Sequence, residues 1–446
     1  MTPSPPRSLE FAVALVAAFF CAAANAGAQE SIAPVVRLLA PVASGDDGKA
    51  VLLPANVLSV EDVVRGVVAR NQTLAQMSAA WQAASTRYRQ VTSPDDPMLS
   101  SMVAPNSFSS RSVEPGYRIE ISQKILWPGK KALRGDMAQA EAGAAGDDAE
   151  DMRLQLVEMA RNAYYDYFLV ARSAAVNEET LKLLGEFRAN AETRFRTGQI
   201  PQQDILQADV EIGKQRERSI ILERMRRVAV ARLNTLMHQE PTEPLLAPPE
   251  KLPRGEPVPA APQLLALALA RRPDLRALEM RIAGDRAALA LAVKDYWPDL
   301  EVAAAYDTIM GNGPMRDLAP QIGLRMNLPV RTGKRHAAVA EAQAKISQRC
   351  AELAAKIDLV KFQVQEAYEQ IVESERIIQL YETKILPQSE ENVKAAQNAY
   401  VTGKTPFVSL IEAQRSLVAQ RDRSFEAAAD ASRRRATLDR LIGQSP

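Results

Sequence analysis

The residues that could do chemistry here are few, and their spacing argues against catalysis. The only two histidines among 446 residues, His238 and His336, lie in unrelated contexts, so no His-rich metal or catalytic cluster can be built. Gly311-Asn312-Gly313-Pro314-Met315-Arg316 begins like a dinucleotide fingerprint but lacks its last Gly and falls between two strand patterns. Thr332-Gly333-Lys334-Arg335 lacks the upstream Gly and the final Ser or Thr of a phosphate loop. Met310 and Met315 are soft donors, but two methionines in a loop make no ligand set. No catalytic residue, cofactor or metal site is expected.

Two polar features remain. Asp204 and Glu412 each stand in the first turn or two of a helical segment, where the helix dipole favours a carboxylate. On one chain they are ordinary caps; in a ring of identical chains they would become a ring of carboxylates that attracts cations. Lys130, Lys131, Lys334 and Arg335 stand where two helices begin, the unfavourable end for cations. Phospholipid head groups would compensate them, and a solvated basic turn is the plain alternative.

The elements that position these residues repeat. Phe195-Arg-Thr-Gly-Gln-Ile-Pro-Gln-Gln-Asp-Ile-Leu-Gln-Ala208 recurs about 205 positions later as Tyr400-Val-Thr-Gly-Lys-Thr-Pro-Phe-Val-Ser-Leu-Ile-Glu-Ala413. Each copy reads as a sharp turn between two helices. Gly198 and Gly403, after Thr197 and Thr402, can take the left-handed conformation, and Pro201 and Pro406 suit the first turn of the next helix. A shift of about 204 also maps Gly129-Lys130-Lys131 onto Gly333-Lys334-Arg335, Ala138-Gln139-Ala140 onto Ala342-Gln343-Ala344, and Ala163-Tyr164 onto Ala367-Tyr368. The chain is therefore two copies of one unit.

Tyr117, Ile119, Ile121, Gln123 and Ile125 alternate with Arg118, Glu120, Ser122 and Lys124, the period of a strand with one apolar and one polar face. Leu99 to Val103 is a weaker strand, and 107–116 a polar loop. In the second copy Leu300, Val302, Ala304 and Tyr306 form one row, and Ile322, Leu324, Met326 and Leu328 another. One hairpin per half gives about four strands, too few to close a barrel, and open edges are not tolerated in lipid. If the strands span a membrane, several chains share one barrel, with Trp127 and Trp297 at one interface. Otherwise two soluble hairpins cover a helical bundle.

The helical segments run from Val60 to about Gln90, from Lys130 to Arg196 without a proline, and along return limbs at 202–238 and 406–442. The 130–196 stretch alone would be on the order of 100 Å long. Steps of four and three give Leu156, Ala160, Ala163, Tyr167, Val170, Ala174, Asn177, Leu181, Leu184, Arg188 and Ala191, and in the other half Leu353, Ile357, Val360, Val364, Ala367, Ile371, Ser374, Ile378, Tyr381 and Ile385. A period near 3.5 predicts left-handed supercoiling. Glu240 to Pro262, with eight prolines, reads as a stiff linker.

The chain divides as a signal peptide (1–28), an irregular arm (29–58), a first repeat (59–240, strand hairpin 98–126, tip 197–201), the linker (241–262) and a second repeat (263–446, strand hairpin 299–328, tip 402–406). Phe19 and Phe20 before Cys21 argue against a lipoprotein site. Without the signal only Cys350 remains, expected as a packed small residue. Lys and Arg number 55 against 54 Asp and Glu, so no electrostatic case for nucleic acid exists.

Taken together, Phe195, Gly198, Leu206 and Ala208 in one tip, Tyr400, Gly403, Ile411 and Ala413 in the other, and the strand exits Gln123-Lys-Ile-Leu-Trp-Pro-Gly-Lys130 and Asn327-Leu-Pro-Val-Arg-Thr-Gly-Lys334 resemble the TolC family of outer-membrane efflux channels. The resemblance implies a mainly α protein with a membrane β-barrel portion: a homotrimer in the outer membrane of a Gram-negative bacterium, with a 12-stranded barrel and a periplasmic α-helical barrel. It implies a passive exit duct for small solutes, drugs or heavy-metal cations. Tips (Phe195, Thr197, Gly198, Pro201, Tyr400, Thr402, Gly403, Pro406) would dock a periplasmic adaptor, or membrane fusion protein, and through it an inner-membrane pump of the RND type. The family's gate is acidic on the helix after the second tip; here that region offers Ser409 and Glu412, with Asp204 from the other copy. A periplasmic coiled-coil adaptor or scaffold without a barrel is the other reading of the same pattern.

Overall fold

The computed structural model describes residues 57–109, 116–307 and 320–444. The signal segment, Cys21, nearly all of the arm, Met310, Met315 and the 311–316 loop lie outside the described residues. The chain forms two compact units, one of strands (within 94–128 and 297–330) and one of helices.

In the helical unit the chain enters through α1 (Val60–Arg70) and α2 (Gln72–Thr92). One helix was expected over 60–90. Instead Asn71 adopts an extended backbone and its side-chain oxygen accepts from the Thr73 amide at 2.9 Å, capping α2. The second repeat breaks at the corresponding place, where Arg272-Pro273 separates α6 (Ala261–Arg271) from α7 (Pro273–Lys294). Proline announces that break; asparagine makes the other by capping.

The long limbs are α4 (Lys130–Arg196, 67 residues) and α5 (Gln202–Leu236, 35 residues), matched by α8 (Thr332–Leu380), α9 (Leu386–Val401) and α10 (Phe407–Leu441, 35 residues). Val63, Val64 and Val67 of α1 pack against Leu156, Ala160, Ala163 and Tyr167 of α4 and Leu233 of α5. The other repeat builds the same core from Leu264 and Ala268 of α6, Val360, Val364, Ala367 and Ile371 of α8, and Leu438 of α10. The seam follows the 3.5 period only in part. Ser173, Thr180 and Phe187 are buried where that period places Ala174, Leu181 and Arg188, because two steps of three follow each other after Tyr167. Arg188 turns outward to pair with Asp209 at 2.6 Å.

Between α8 and α9, Tyr381–Ile385 form one π-helical segment. Matched positions are 204 apart at Gly129/Gly333 and Ala163/Ala367 but 205 apart at Gly198/Gly403 and Pro201/Pro406. The second copy thus carries one surplus residue, and the wider turn absorbs it. Pro387 adds a reason for its position, since a proline ring clashes with the carbonyl four residues back, here Thr383, in a regular helix.

The proline-rich segment is docked, not free. The Leu58 amide donates to the Ala247 carbonyl at 2.9 Å, Tyr167 Oη to the Leu246 carbonyl at 3.2 Å, and Leu245 and Leu252 pack on the first core. Cys350 is exposed, contrary to expectation, because this part of α8 packs along one face only and Cys350 lies off it.

The strand unit is one antiparallel sheet of order β1 (Met98–Ala104), β2 (Gly116–Ile125), β3 (Leu300–Asp307), β4 (Pro320–Met326). Pairing of β2 with β3, Ile121 opposite Ala304, joins the repeats. A four-residue helix, α3 (Pro105–Phe108), occupies the start of the expected polar loop.

Candidate functional site

Alternation along β2, β3 and β4 separates two faces, and their exposure is inverted relative to a water-soluble sheet. Ile119, Ile125, Tyr306, Leu324 and Met326 are exposed, Ile322 by 83%. On the opposite face Glu120 is only 6% exposed, and Ser122 and Asp307 are also buried. That polar face is tied by ion pairs. Arg118 donates to Glu120 at 2.7 Å and to Asp307 at 3.2 Å, while Arg325 donates to Glu301 at 3.2 Å and also to Glu120. Among the described residues, β1 pairs only with β2 and β4 only with β3, so two edges stay open.

Aromatic rings bound the apolar face at both ends. Tyr117 and Tyr306 stack at 6.0 Å, and Trp127 and Trp297 stack at 5.1 Å with planes 10° apart. Ten residues separate Tyr117 from Trp127, about 33 Å along a strand and about 25 Å when tilted by about 40°, the height of an outer-membrane apolar band. Among the described residues no helix is long and apolar enough to cross a membrane.

The four basic residues near the helix starts do not act alike. Lys130 is buried and pairs with Asp295 at 3.1 Å, so its compensating anion is a carboxylate of the same chain. Arg335 Nε donates to the Asp295 carbonyl at 2.7 Å. Lys131 is half-buried, and Lys334 is exposed and remains available to a head group.

At the tips, Gly198 and Gly403 both have φ of 72° with open space around Cα. Gly198 donates its amide to the Phe195 carbonyl at 2.8 Å and Gln199 to Arg194 at 2.9 Å; Gly403 and Lys404 repeat this on Tyr400 and Ala399 at 3.0 and 2.8 Å. These paired bonds are a Schellman closure, which a left-handed residue permits. Pro201 and Pro406 sit one residue earlier than expected, as N-caps with extended ψ of 155° and 158°. The same closure ends α5 at His238 (φ 55°) and α10 at Gly443 (φ 65°), which explains a histidine that chemistry could not.

The two tips are tied together. Leu184, Phe187, Ala208, Tyr400, Phe407, Leu410 and Ile411 form one cluster. Tyr400 Oη donates to Asp204 Oδ2 at 3.3 Å, and the Arg194 guanidinium lies 5.3 Å from the centre of the Tyr400 ring. Arg194 also donates to the Tyr400 and Val401 carbonyls at 3.4 and 3.3 Å, capping the end of α9. Burial pushes the Asp204 carboxyl above its usual value, opposed by the Tyr400 hydrogen bond and by Arg194. Burial, then Asp204, pushes the Tyr400 hydroxyl up to about 12. Asp204 therefore faces the other tip, whereas Glu412 is exposed and Ser409 half-buried on the free side of α10. Phe195, Thr197, Thr402 and both glycines are exposed at the turns.

Arg194 was not foreseen, because its partners lie about 206 positions away; its one signal is a cation near a helix end where the other copy has Ala399. A second unforeseen group is Glu211, buried on α5, which accepts from Arg415 of α10 at 2.9 Å and from Lys214 at 3.0 Å. Hydrogen bonds from Arg415 hold its carboxyl below the ordinary range. Among the described residues no three His, Cys, Asp or Glu side chains converge as a metal site.

Residues 264–444 match the family model described as outer membrane efflux protein. The fold is similar to that of the outer-membrane channel OprN, at 19% identity and TM-score 0.72, covering 86% of this chain and 90% of that one. VceC from Vibrio cholerae gives 16% and 0.73 over 86% and 96%. MtrE from Neisseria gonorrhoeae, in its open state, gives 17% and 0.71 over 86% and 89%. No curated protein matches the chain in sequence. Residues 264–444 thus match the outer membrane efflux protein family model, and the fold of the chain is similar to that of solved outer-membrane channels.

Proposed function

We propose that three copies of this chain form the passive outer-membrane exit duct of a tripartite efflux system. The observation that carries the reading is the sheet with apolar residues exposed, polar residues buried and two open edges. Such a sheet is stable in lipid only when closed. Two copies would give eight strands, a bore filled by side chains; three give twelve and leave a lumen. The Arg118, Glu120, Asp307 and Arg325 face lines that lumen, and the tyrosine and tryptophan pairs lie at the two interfaces.

The helical hairpins continue the duct into the periplasm, and their tips are the gate. Arg194, Asp204 and Tyr400 hold the tips of each protomer together, with Ser409 and Glu412 on the pore side. A periplasmic adaptor docking on residues 195–201 and 400–406 competes for these contacts and lets the hairpins splay outward. Energy comes from an inner-membrane pump of the RND type, and the cargo is small solutes, drugs or heavy-metal cations.

The test is fractionation and conductance. The duct reading expects heat-modifiable trimers in the outer-membrane fraction and channels in planar bilayers. A monomer in osmotic-shock fluid would instead establish a periplasmic scaffold and end this reading.

A further inference from the structure

Within the helical unit, α5 and α10 begin at matching positions after their tip prolines and are equally long, so residues can be compared by their count from each helix start. Glu412 matches Gln207, Arg415 matches Val210, and Lys214 matches Ala419. At 1.5 Å per residue, Arg415 lies about 4.5 Å and Lys214 about 10 Å deeper than the level of Glu412.

Between the helices runs a groove of about 360 Å³ lined by Lys214, Arg415 and Glu211 together with Leu206, Val210 and Val408. Its charges are unequally presented. Glu211 is 4% exposed, whereas the Lys214 and Arg415 side chains are 56% and 50% exposed. One buried carboxylate fixes two cations that face solvent, so this trio carries one positive charge per protomer, with Glu412 acting on Arg415 from the tip side. Glu412 supplies the opposite sign one turn nearer the tip, and Asp204 is turned away onto Tyr400.

We infer that Lys214 and Arg415 form an anion-accepting level behind the acidic level of Glu412, so that the tip passage is bipolar. The inference rests on the trimeric duct, in which three copies place their excess positive charge over a band about 6 Å deep behind three carboxylates. Buried Glu211 is the positioning residue that holds both cations. Solutes carrying both signs, or anions on an apolar body that the groove walls can cover, are the chemical class this passage accepts best.

The test is the reversal potential of the full-length trimer in planar bilayers under a KCl gradient. Three unit charges about 8 Å from a permeating ion, screened over about one Debye length, shift a cation and an anion about threefold each in opposite directions, so the cation-to-anion permeability ratio changes about tenfold. Lys214→Gln is expected to raise that ratio by this factor, Lys214→Arg to leave it, and Glu412→Gln to lower it. Unchanged selectivity in Lys214→Gln beside a shift in Glu412→Gln would overturn the basic level while leaving the duct intact. So would a Lys214→Cys thiol that charged thiosulfonates cannot reach. A wild-type protein that conducts no ions at all would overturn the duct itself, and this level with it.

Discussion

Arg194→Gln tests whether the tips are latched within each protomer. The guanidinium makes two long hydrogen bonds, 3.4 and 3.3 Å, to the last carbonyls of α9 and lies 5.3 Å from the Tyr400 ring centre. Long bonds are weak, so about 0.5 kcal/mol each is reasonable, with a similar amount from the helix dipole and from the ring. Discounting for its partial exposure leaves about 1.5 kcal/mol per protomer, about a tenfold change in the opening of one hairpin pair. If three protomers open together the effect multiplies to on the order of a thousandfold. Glutamine keeps much of the length and one donor but neither the charge nor the planar fork. Single-channel open probability at fixed voltage reads the change directly. Tyr400→Phe makes the comparison sharper, because it keeps the ring and both carbonyls and removes only the 3.3 Å bond to Asp204, worth about 1 kcal/mol or less. An Arg194→Gln channel within twofold of wild type would show that the latch does not hold the resting state.

Three further outcomes follow from other places in the chain. His238→Gly removes a side chain from a left-handed helix end where the other repeat has Gly443, and should stabilise the protein by about 1 kcal/mol, measured as a raised denaturation midpoint. Leu324→Arg puts a charge on the exposed face of β4 and should cost about 2–4 kcal/mol of insertion, seen as loss of heat-modifiable trimer, if that face meets lipid. The Asp204 carboxyl binds its proton more tightly folded than unfolded, so its contribution favours the latched tip as pH falls through its raised pKa; Glu211, held low by Arg415, keeps its ion pairs until pH falls below the ordinary carboxylate range. Open probability should therefore drop as pH falls through the raised Asp204 pKa in the wild type and not in Asp204→Asn.

What could be read from the sequence was what is encoded locally. Gly198, Gly403 and the prolines after them mark turns through their own backbone limits, and alternation from Tyr117 to Ile125 marks a strand. The break at Asn71 was hidden because a capping side chain, unlike Pro273, is compatible with a continuing helix. Lys130 looked available for lipid because its partner Asp295 arrives from a distant helix end. The proposed gate was half legible: Asp204 and Glu412 stood out by position, but the contacts of Arg194, Tyr400 and Glu211 arise only when two helical hairpins come together. The buried seam moved back to Ser173 and Thr180 because two three-residue steps follow each other after Tyr167, a local change that an average period of about 3.5 does not reveal.

The surplus residue at Tyr381–Ile385 records a history. A duplicated gene that later gained a single codon would leave two copies level in space yet out of step in count, which is what the wide turn achieves by confining the insertion to five residues. Any ruler calibrated at the strand exits would set Glu412 against Ala208, a side chain with nothing polar to offer, and would misjudge the symmetry of an assembled ring. Recalibrated past the wide turn, Glu412 stands against Gln207, acid against amide, so in the proposed trimer the charge at this level would repeat three times where the backbone repeats six.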